Sequence, residues 1–189
     1  MPFVSKIKIA VVGFAISFGI FSQAQANASI FGKDLFSGKN VTIESGKLGQ
    51  VLIFMSAKCP CSNSHVQIIK KLSQQFSDFS FVVIHSNGDE SLAEAQKYFK
   101  NADFKFGVIR DVDFKLADKF KAYKTPHSFV LDIAGNVLYK GGVTSSATAD
   151  AADRIYLQEA LNDISNNQPI KLAEGRTLGC AISRGKNVW

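Results

Sequence analysis

The strongest pattern in the chain is the apolar run Gln50-Val51-Leu52-Ile53-Phe54-Met55, followed by Val66, Ile69, Leu72 and Phe76 at helical spacing. The run predicts a buried strand and the spacing a helix from about Ser62, together one βα unit. Phe79-Ser80-Phe81-Val82-Val83-Ile84-His85 predicts a second buried strand, Ser86-Asn87-Gly88-Asp89-Glu90 a turn and cap. The stretch to about Asn101 then reads as a helix with Leu92, Ala95 and Phe99 inward. Phe106 to Ile109 predicts a short strand, and Phe114, Leu116, Ala117 and Phe120 a short helix. Ser128 to Asp132 and Asn136 to Lys140 flank Ile133-Ala134-Gly135 as a β-hairpin. A last helix is expected from about Asp150 to Ile164, with Leu157, Leu161 and Ile164 on one side and Asp150 and Asp153 near its positive end. This order predicts an α/β fold in which helices flank a central mixed sheet.

The N-terminus follows a different pattern. Lys6 and Lys8 precede an uncharged, mostly apolar run of 13 residues, Ile9 to Phe21, and then small and polar residues with cleavage sites at Ala24-Gln25-Ala26 or Ala26-Asn27-Ala28. This reads as a signal peptide over residues 1–28, because the run falls short of the roughly 20 residues that span a bilayer. No later segment resembles a span. The expected mature chain holds one domain, residues 29–165, and a C-terminal extension, residues 166–189, that carries Cys180. Its location is periplasmic or secreted, a setting that permits disulfides. The net charge of +6 falls to about +4 without Lys6 and Lys8. The lysines are scattered and the aromatic residues sit in core-like runs, which argues against a nucleic-acid partner.

Candidate chemistry begins with Cys59 and Cys61 in Met55-Ser56-Ala57-Lys58-Cys59-Pro60-Cys61-Ser62, where the first strand ends and the first helix begins. Helix N-terminal amides stabilise an anion, so a sulfur placed there is pushed toward the reactive thiolate. Lys58 adds positive potential beside it. A Cys-Pro-Cys disulfide would close a very small, strained ring, which favours transient over structural crosslinking at Cys61. Cys180, in Thr177-Leu178-Gly179-Cys180, comes after a polar connector and is the alternative partner if the chain folds back. His65 lies four residues after Cys61, a ligand-compatible spacing, although a solvent-facing helix histidine is the plainer expectation. His127 follows Pro126 and is read as facing the thiol or as locally bonded or exposed. His85 ends a strand and is expected to bond locally. Arg110 beside Asp111 and Asp113 reads as a local ion pair at a surface turn. Gly141-Gly142 lacks the strand-to-helix context of a phosphate loop, and no cofactor is expected.

Over about residues 50–165 the chain resembles the thioredoxin-like superfamily, in particular exported redoxins related to the alkyl hydroperoxide reductase and thiol-specific antioxidant group. The landmarks are Phe54-Met55-Ser56-Ala57-Lys58-Cys59, then Ile109-Arg110-Asp111 with Leu116-Ala117-Asp118-Lys119-Phe120, and Thr125-Pro126-His127-Ser128-Phe129-Val130-Leu131-Asp132 running into Gly135-Asn136-Val137. The resemblance implies a thioredoxin-like fold, Cys59 as nucleophile and Pro126 as a cis-proline beside it. Two departures bear on function. Ser62 stands where the second cysteine of the usual dithiol would fall, and Ser56 stands where the peroxidase subgroup has threonine.

Three functions are expected, in descending order. The leading one is a thiol-disulfide oxidoreductase acting on protein disulfides or thiols, with Cys59 attacking, Cys61 or Cys180 resolving, and Pro126 shaping the groove for an extended partner segment. Second is a thiol peroxidase acting on a hydroperoxide through a Cys59 sulfenic acid. Third, and not enzymatic, is a copper-binding or transfer protein using Cys59, Cys61 and His65 or His127. Four zinc ligands cannot be named. Ring strain favours Cys180 as the more stable partner of Cys59.

Overall fold

The computed structural model describes residues 28–185, so the signal peptide expected over residues 1–28 lies, except for Ala28, outside the described residues. The chain opens with an antiparallel pair, β1 (Ser29–Asp34) and β2 (Asn40–Glu44), which the hydrophobic pattern does not disclose. β3 (Gly49–Met55) leads into α1 (Pro60–Gln75), and β4 (Phe79–His85) into α2 (Leu92–Ala102). β5 (Gly107–Arg110), α3 (Lys115–Phe120) and the two-residue β6 (Lys124–Thr125) come next. β7 (His127–Leu131) and β8 (Val137–Gly141) form the hairpin, and α4 (Tyr156–Ser165) and β9 (Cys180–Ala181) complete the order.

Seven strands form one mixed sheet in the order β2-β1-β5-β4-β3-β7-β8, with β3, β4 and β5 parallel. Strand side chains alternate between faces, which is why the apolar run of β3 serves two cores. Val51, Ile53 and Met55 join α1, α2 and α4 through Val66, Ile69, Phe99, Leu157 and Leu161. Leu52 and Phe54 face the other way, with Val82, Ile84, Phe129 and Ala117 of α3. Burial on both faces explains the continuous hydrophobicity of β3 and β4. The fold is thus the expected α/β arrangement, a mixed sheet covered by helices.

The helices differ from expectation in three details. α1 begins at Pro60, two residues early, because Cys59 caps it and proline suits a first helical position. Leu92 is 42% exposed, not inward, since it opens α2 directly after the N-cap Ser91, within the first turn closed by the Ser91–Glu94 capping box. α4 starts at Tyr156, which leaves Asp150 in a single turn at residues 149–151 and Asp153 in the loop after it. The Ser145 hydroxyl there accepts the amides of Asp153 and Arg154, both at 3.1 Å, and holds that segment out of the helix.

The segment after α4 lies on the domain. The Lys140 amide donates to the Ala173 carbonyl while the Lys140 carbonyl accepts from the Gly175 amide, Gly88 donates to the Ser183 carbonyl, and Ile182 enters the second core. No helix among the described residues is long and apolar enough to cross a membrane.

Phe54 is fully buried and meets Phe129 edge-on at 5.7 Å and Phe120 at 6.5 Å. Phe54→Ala is expected to lower stability by about 3–5 kcal/mol through lost burial and a residual cavity. A shift of the urea midpoint at unchanged slope measures it.

Candidate functional site

The site forms where β3 stops. Met55 is the last paired residue, and the next three turn the chain into α1 around one buried carboxylate. Glu90 accepts hydrogen bonds from the Ser56 hydroxyl, from the amides of Ala57 at 2.8 Å and Lys58 at 3.2 Å, and from His85 Nε2 at 2.9 Å. Burial pushes the Glu90 carboxyl up, yet these donors, His85 and Ser56 first, hold it at about 2. Sequence reasoning read Glu90 only as part of a turn and cap. His85 bonds locally, as expected.

Cys59 is the N-cap of α1, with extended backbone at φ −82° and ψ 113°. Its Sγ accepts from the Ser62 amide at 3.4 Å, and as a thiol it donates to the Thr125 carbonyl at 3.2 Å. The peptide between Thr125 and Pro126 is cis. β6 and β9 pair antiparallel with Thr125 opposite Cys180, so the fold-back brings Cys180 to Cys59. The Sγ atoms of Cys59, Cys61 and Cys180 all lie within 4.8 Å of one another. All three are free thiols, Cys59 buried and the other two half-buried.

Their acidities separate. Burial raises the Cys59 thiol, but hydrogen bonding from Cys180 and the Ser62 amide outweighs it and brings Cys59 to about 7. Burial, then the Cys59 charge, pushes Cys61 upward. Burial, followed by interaction with Cys59, lifts Cys180 to about 12. Cys59 therefore ionises first. Tyr98 stays neutral, raised to about 12 by burial and then by the charges of Cys59 and Glu90.

The two candidate histidine ligands are not part of this cluster, which among the described residues contains only the three cysteines. His65 is fully buried, contrary to the solvent-facing expectation. Its Nδ1 donates to the Cys61 carbonyl at 2.7 Å, so Nε2 accepts from the Thr144 hydroxyl at 2.8 Å, and both ring nitrogens are occupied. Burial lowers its pKa, which keeps the ring neutral. His127 is buried too, stacked on Phe129 at 4.4 Å and against Tyr123 at 5.4 Å. Burial, helped by the nearby Lys140 charge, takes it down to about 4. Arg110 is exposed, but its expected partner Asp111 turns inward to accept from Ser86 and from the amides of Leu116 and Ala117. The Lys58 ammonium is held by the Asp89 carbonyl at 2.9 Å and by Glu94 at 3.4 Å.

Residues 50–137 match the family model described as thioredoxin-like. An uncharacterized conserved protein from Geobacillus kaustophilus superposes with a TM-score of 0.74 at 20% identity, covering 87% of this chain and 92% of its own. A hypothetical protein from Sinorhizobium meliloti 1021 gives 0.71 at 19% identity, with 84% and 92% covered. The peroxidoxin BcpB from Mycobacterium tuberculosis gives 0.55 at 16% identity, with 75% and 94% covered. At these identities the likeness is one of fold. No curated protein matches the chain significantly in sequence.

Two measurements test the electrostatics. The pH profile of alkylation at Cys59, followed by peptide mass, should show a midpoint near 7 that belongs to the coupled cluster, with Cys61 and Cys180 reacting only at higher pH. Cys180→Ala removes a donor and should move that midpoint upward; a midpoint near 9 in the unmodified chain would contradict the assignment. For Glu90, a folded pKa of about 2 against 4.5 corresponds to about 3 kcal/mol of stability, present above pH 4.5 and lost as the pH falls toward 2. Glu90→Gln should lower the urea midpoint at pH 7, and the gap from the unmodified chain should close as the pH approaches 2.

Proposed function

For a chain whose residues 50–137 match the thioredoxin-like family model, we propose a thiol-disulfide oxidoreductase in which Cys59 attacks and Cys180 resolves. One observation carries this reading. A thiol at a helix N-cap, acidified to about 7, lies within 4.8 Å of a second thiol delivered by a separate strand.

The Cys59 thiolate attacks one sulfur of a substrate disulfide and expels the other as a thiolate, which takes a proton from solvent. The product is a mixed disulfide on Cys59. Cys180 then loses its proton to solvent and attacks Cys59 Sγ, which releases the second substrate thiolate. The substrate gains two electrons, and the protein is left with a Cys59–Cys180 disulfide. The order has an electrostatic cause. While Cys59 is an anion, its charge adds to burial in holding Cys180 protonated. Once Cys59 is bonded to substrate that charge is gone, and Cys180 becomes easier to ionise. The same steps run in reverse on substrate thiols.

Protein substrates are part of this reading, with Pro126 beside Cys59 shaping the contact, as is action in the periplasm or outside the cell, supported by the N-terminal pattern of charge, apolar run and small residues. A peroxidase is the weaker alternative. The Ser56 hydroxyl, which replaces the peroxidase threonine, is donated to Glu90.

Exchange with a model disulfide protein at controlled redox potential tests the proposal. Cys59→Ala should abolish exchange, Cys180→Ser should accumulate the mixed disulfide, and peptide mapping of the oxidised chain should recover Cys59 joined to Cys180. Gly179→Ala offers a check that keeps every thiol. Gly179 has φ +152°, and a Cβ there would overlap the Thr125 carbonyl, so ring closure should slow at least tenfold, about 1.4 kcal/mol. Unchanged exchange in Cys59→Ala, or a folded oxidised monomer with Cys59 joined to Cys61 and Cys180 free, would overturn the assignment.

A further inference from the structure

We propose that the reduced protein binds one copper(I) ion through all three thiolates, Cys59, Cys61 and Cys180, in a trigonal site. The inference goes beyond disulfide exchange and does not depend on it, because exchange needs two of these sulfurs and leaves the third without a task.

The donor geometry fits a metal that takes three ligands. At a metal–sulfur distance of about 2.3 Å, a planar three-sulfur set has its sulfurs roughly 4 Å apart. Three sulfurs within 4.8 Å of one another reach that spacing by small side-chain rotations. The backbone beneath each is fixed independently. Cys59 is held as the cap of α1, the carbonyl of Cys61 is pinned by His65 at 2.7 Å, and Cys180 is set by the pairing of β9 with Thr125. His65, read from the sequence as a ligand candidate, instead positions one.

The donor type selects the ion. Thiolates are soft and favour monovalent copper, which three sulfurs satisfy, whereas a closed zinc site takes four protein ligands. Among the described residues no histidine or carboxylate completes the cluster, and both ring nitrogens of His65 are engaged. Three thiolates with copper(I) carry a net charge of −2, opposed by the amides at the start of α1, where Ser62 N–H already points at Cys59 Sγ. Partial exposure of Cys61 and Cys180 leaves a route for the ion, while burial of Cys59 shields one side.

Binding is a ligand and proton exchange. Each thiol that is protonated releases its proton to solvent as its sulfur bonds copper, and no electron is transferred. A disulfide between Cys59 and Cys180 removes two of the three donors, so the oxidised chain cannot hold the ion.

The test uses the full chain, fully reduced and anaerobic, titrated with cuprous ion from its acetonitrile complex against a chromophoric copper(I) chelator. One ion per chain is expected, with X-ray absorption showing three sulfur neighbours. Cys61→Ser and Cys180→Ser should each fall to two sulfurs and lose affinity at least tenfold, and the Cys59–Cys180 disulfide form should leave the chelator loaded. Thermal melts establish that each variant is folded. Two sulfur neighbours in the unmodified chain, affinity unchanged in folded Cys61→Ser, or displacement of copper by equimolar zinc would overturn the proposal. Disulfide exchange measured on metal-free Cys61→Ser, which retains Cys59 and Cys180, separates a failure of the copper site from a failure of the exchange reading.

Discussion

The site depends on the backbone of one residue, Thr125. Its carbonyl accepts the Cys59 thiol, and its pairing with Cys180 sets the only strand that the C-terminal segment contributes among the described residues. Two cysteines separated by most of the domain therefore meet because each is measured from the same peptide. The approach is close enough that Gly179, beside Cys180, has no room for a side chain over the Thr125 oxygen. A two-residue ladder is weak by itself. Ile182 secures its position, since the Ile182 amide donates to the Tyr123 carbonyl and the side chain is buried in the core on the α3 side of the sheet. Apolar burial at residue 182 thus positions chemistry at residue 180.

The electrostatics of the site follow from keeping two negative charges apart. Glu90 and the Cys59 thiolate both lie near the loop between β3 and α1, yet each has its own donors. Glu90 takes the amides of Ala57 and Lys58 with the Ser56 hydroxyl and His85, whereas Cys59 takes the Ser62 amide, one turn into the helix. Different backbone amides of one short segment, residues 57–62, thus solvate the two anions. A carboxylate so fully satisfied gains nothing by taking a proton at neutral pH. It fixes the loop that carries the cysteine, and it holds Lys58 in register through the amide while the Lys58 ammonium turns to Asp89 and Glu94.

The legible parts of the sequence were those whose signal is local. β4 runs from Phe79 to His85 as its apolar run indicates, and Cys59 stands at a strand-to-helix junction, as the end of the first apolar run and the helical spacing after it indicate. β1 was missed for a physical reason. Its Phe31 is 62% exposed while Ile30 is buried, so the strand shows solvent an aromatic and offers no clear two-residue alternation of apolar and polar positions. His65 was misread because its neighbours, Ser62-Asn63-Ser64, are polar, while the partner that allows its burial, Thr144, comes from a loop 79 residues away. Glu90 failed in the same way. Its own segment reads as a turn, and only the return of β4 alongside β3 brings it beneath Ser56 and Ala57. Cys180 is a candidate partner for Cys59 on the sequence alone and lies within 4.8 Å of it, but the two-residue strand that delivers it carries no periodic signal.

An odd number of thiols in one cluster constrains what the cluster can be used for. A disulfide consumes sulfurs in pairs, so any fully oxidised monomer leaves one of the three unpaired, and in the proposed exchange strain in a Cys-Pro-Cys ring leaves that place to Cys61. If Cys61 were merely spare, a half-exposed thiol beside a mixed disulfide would compete with Cys180 for the same sulfur. In the proposed exchange, ring strain opposes that competition, because His65 anchors the Cys61 carbonyl within the first turn of α1 and proline stiffens the link to Cys59. The same rigidity that makes Cys61 a poor disulfide partner suits it to coordination, where the sulfurs must remain apart around an ion and no sulfur–sulfur bond forms. Disulfide exchange and thiolate coordination thus ask opposite things of the pair Cys59 and Cys61. Their fixed spacing favours the second, while the separate strand bearing Cys180 is able to serve both.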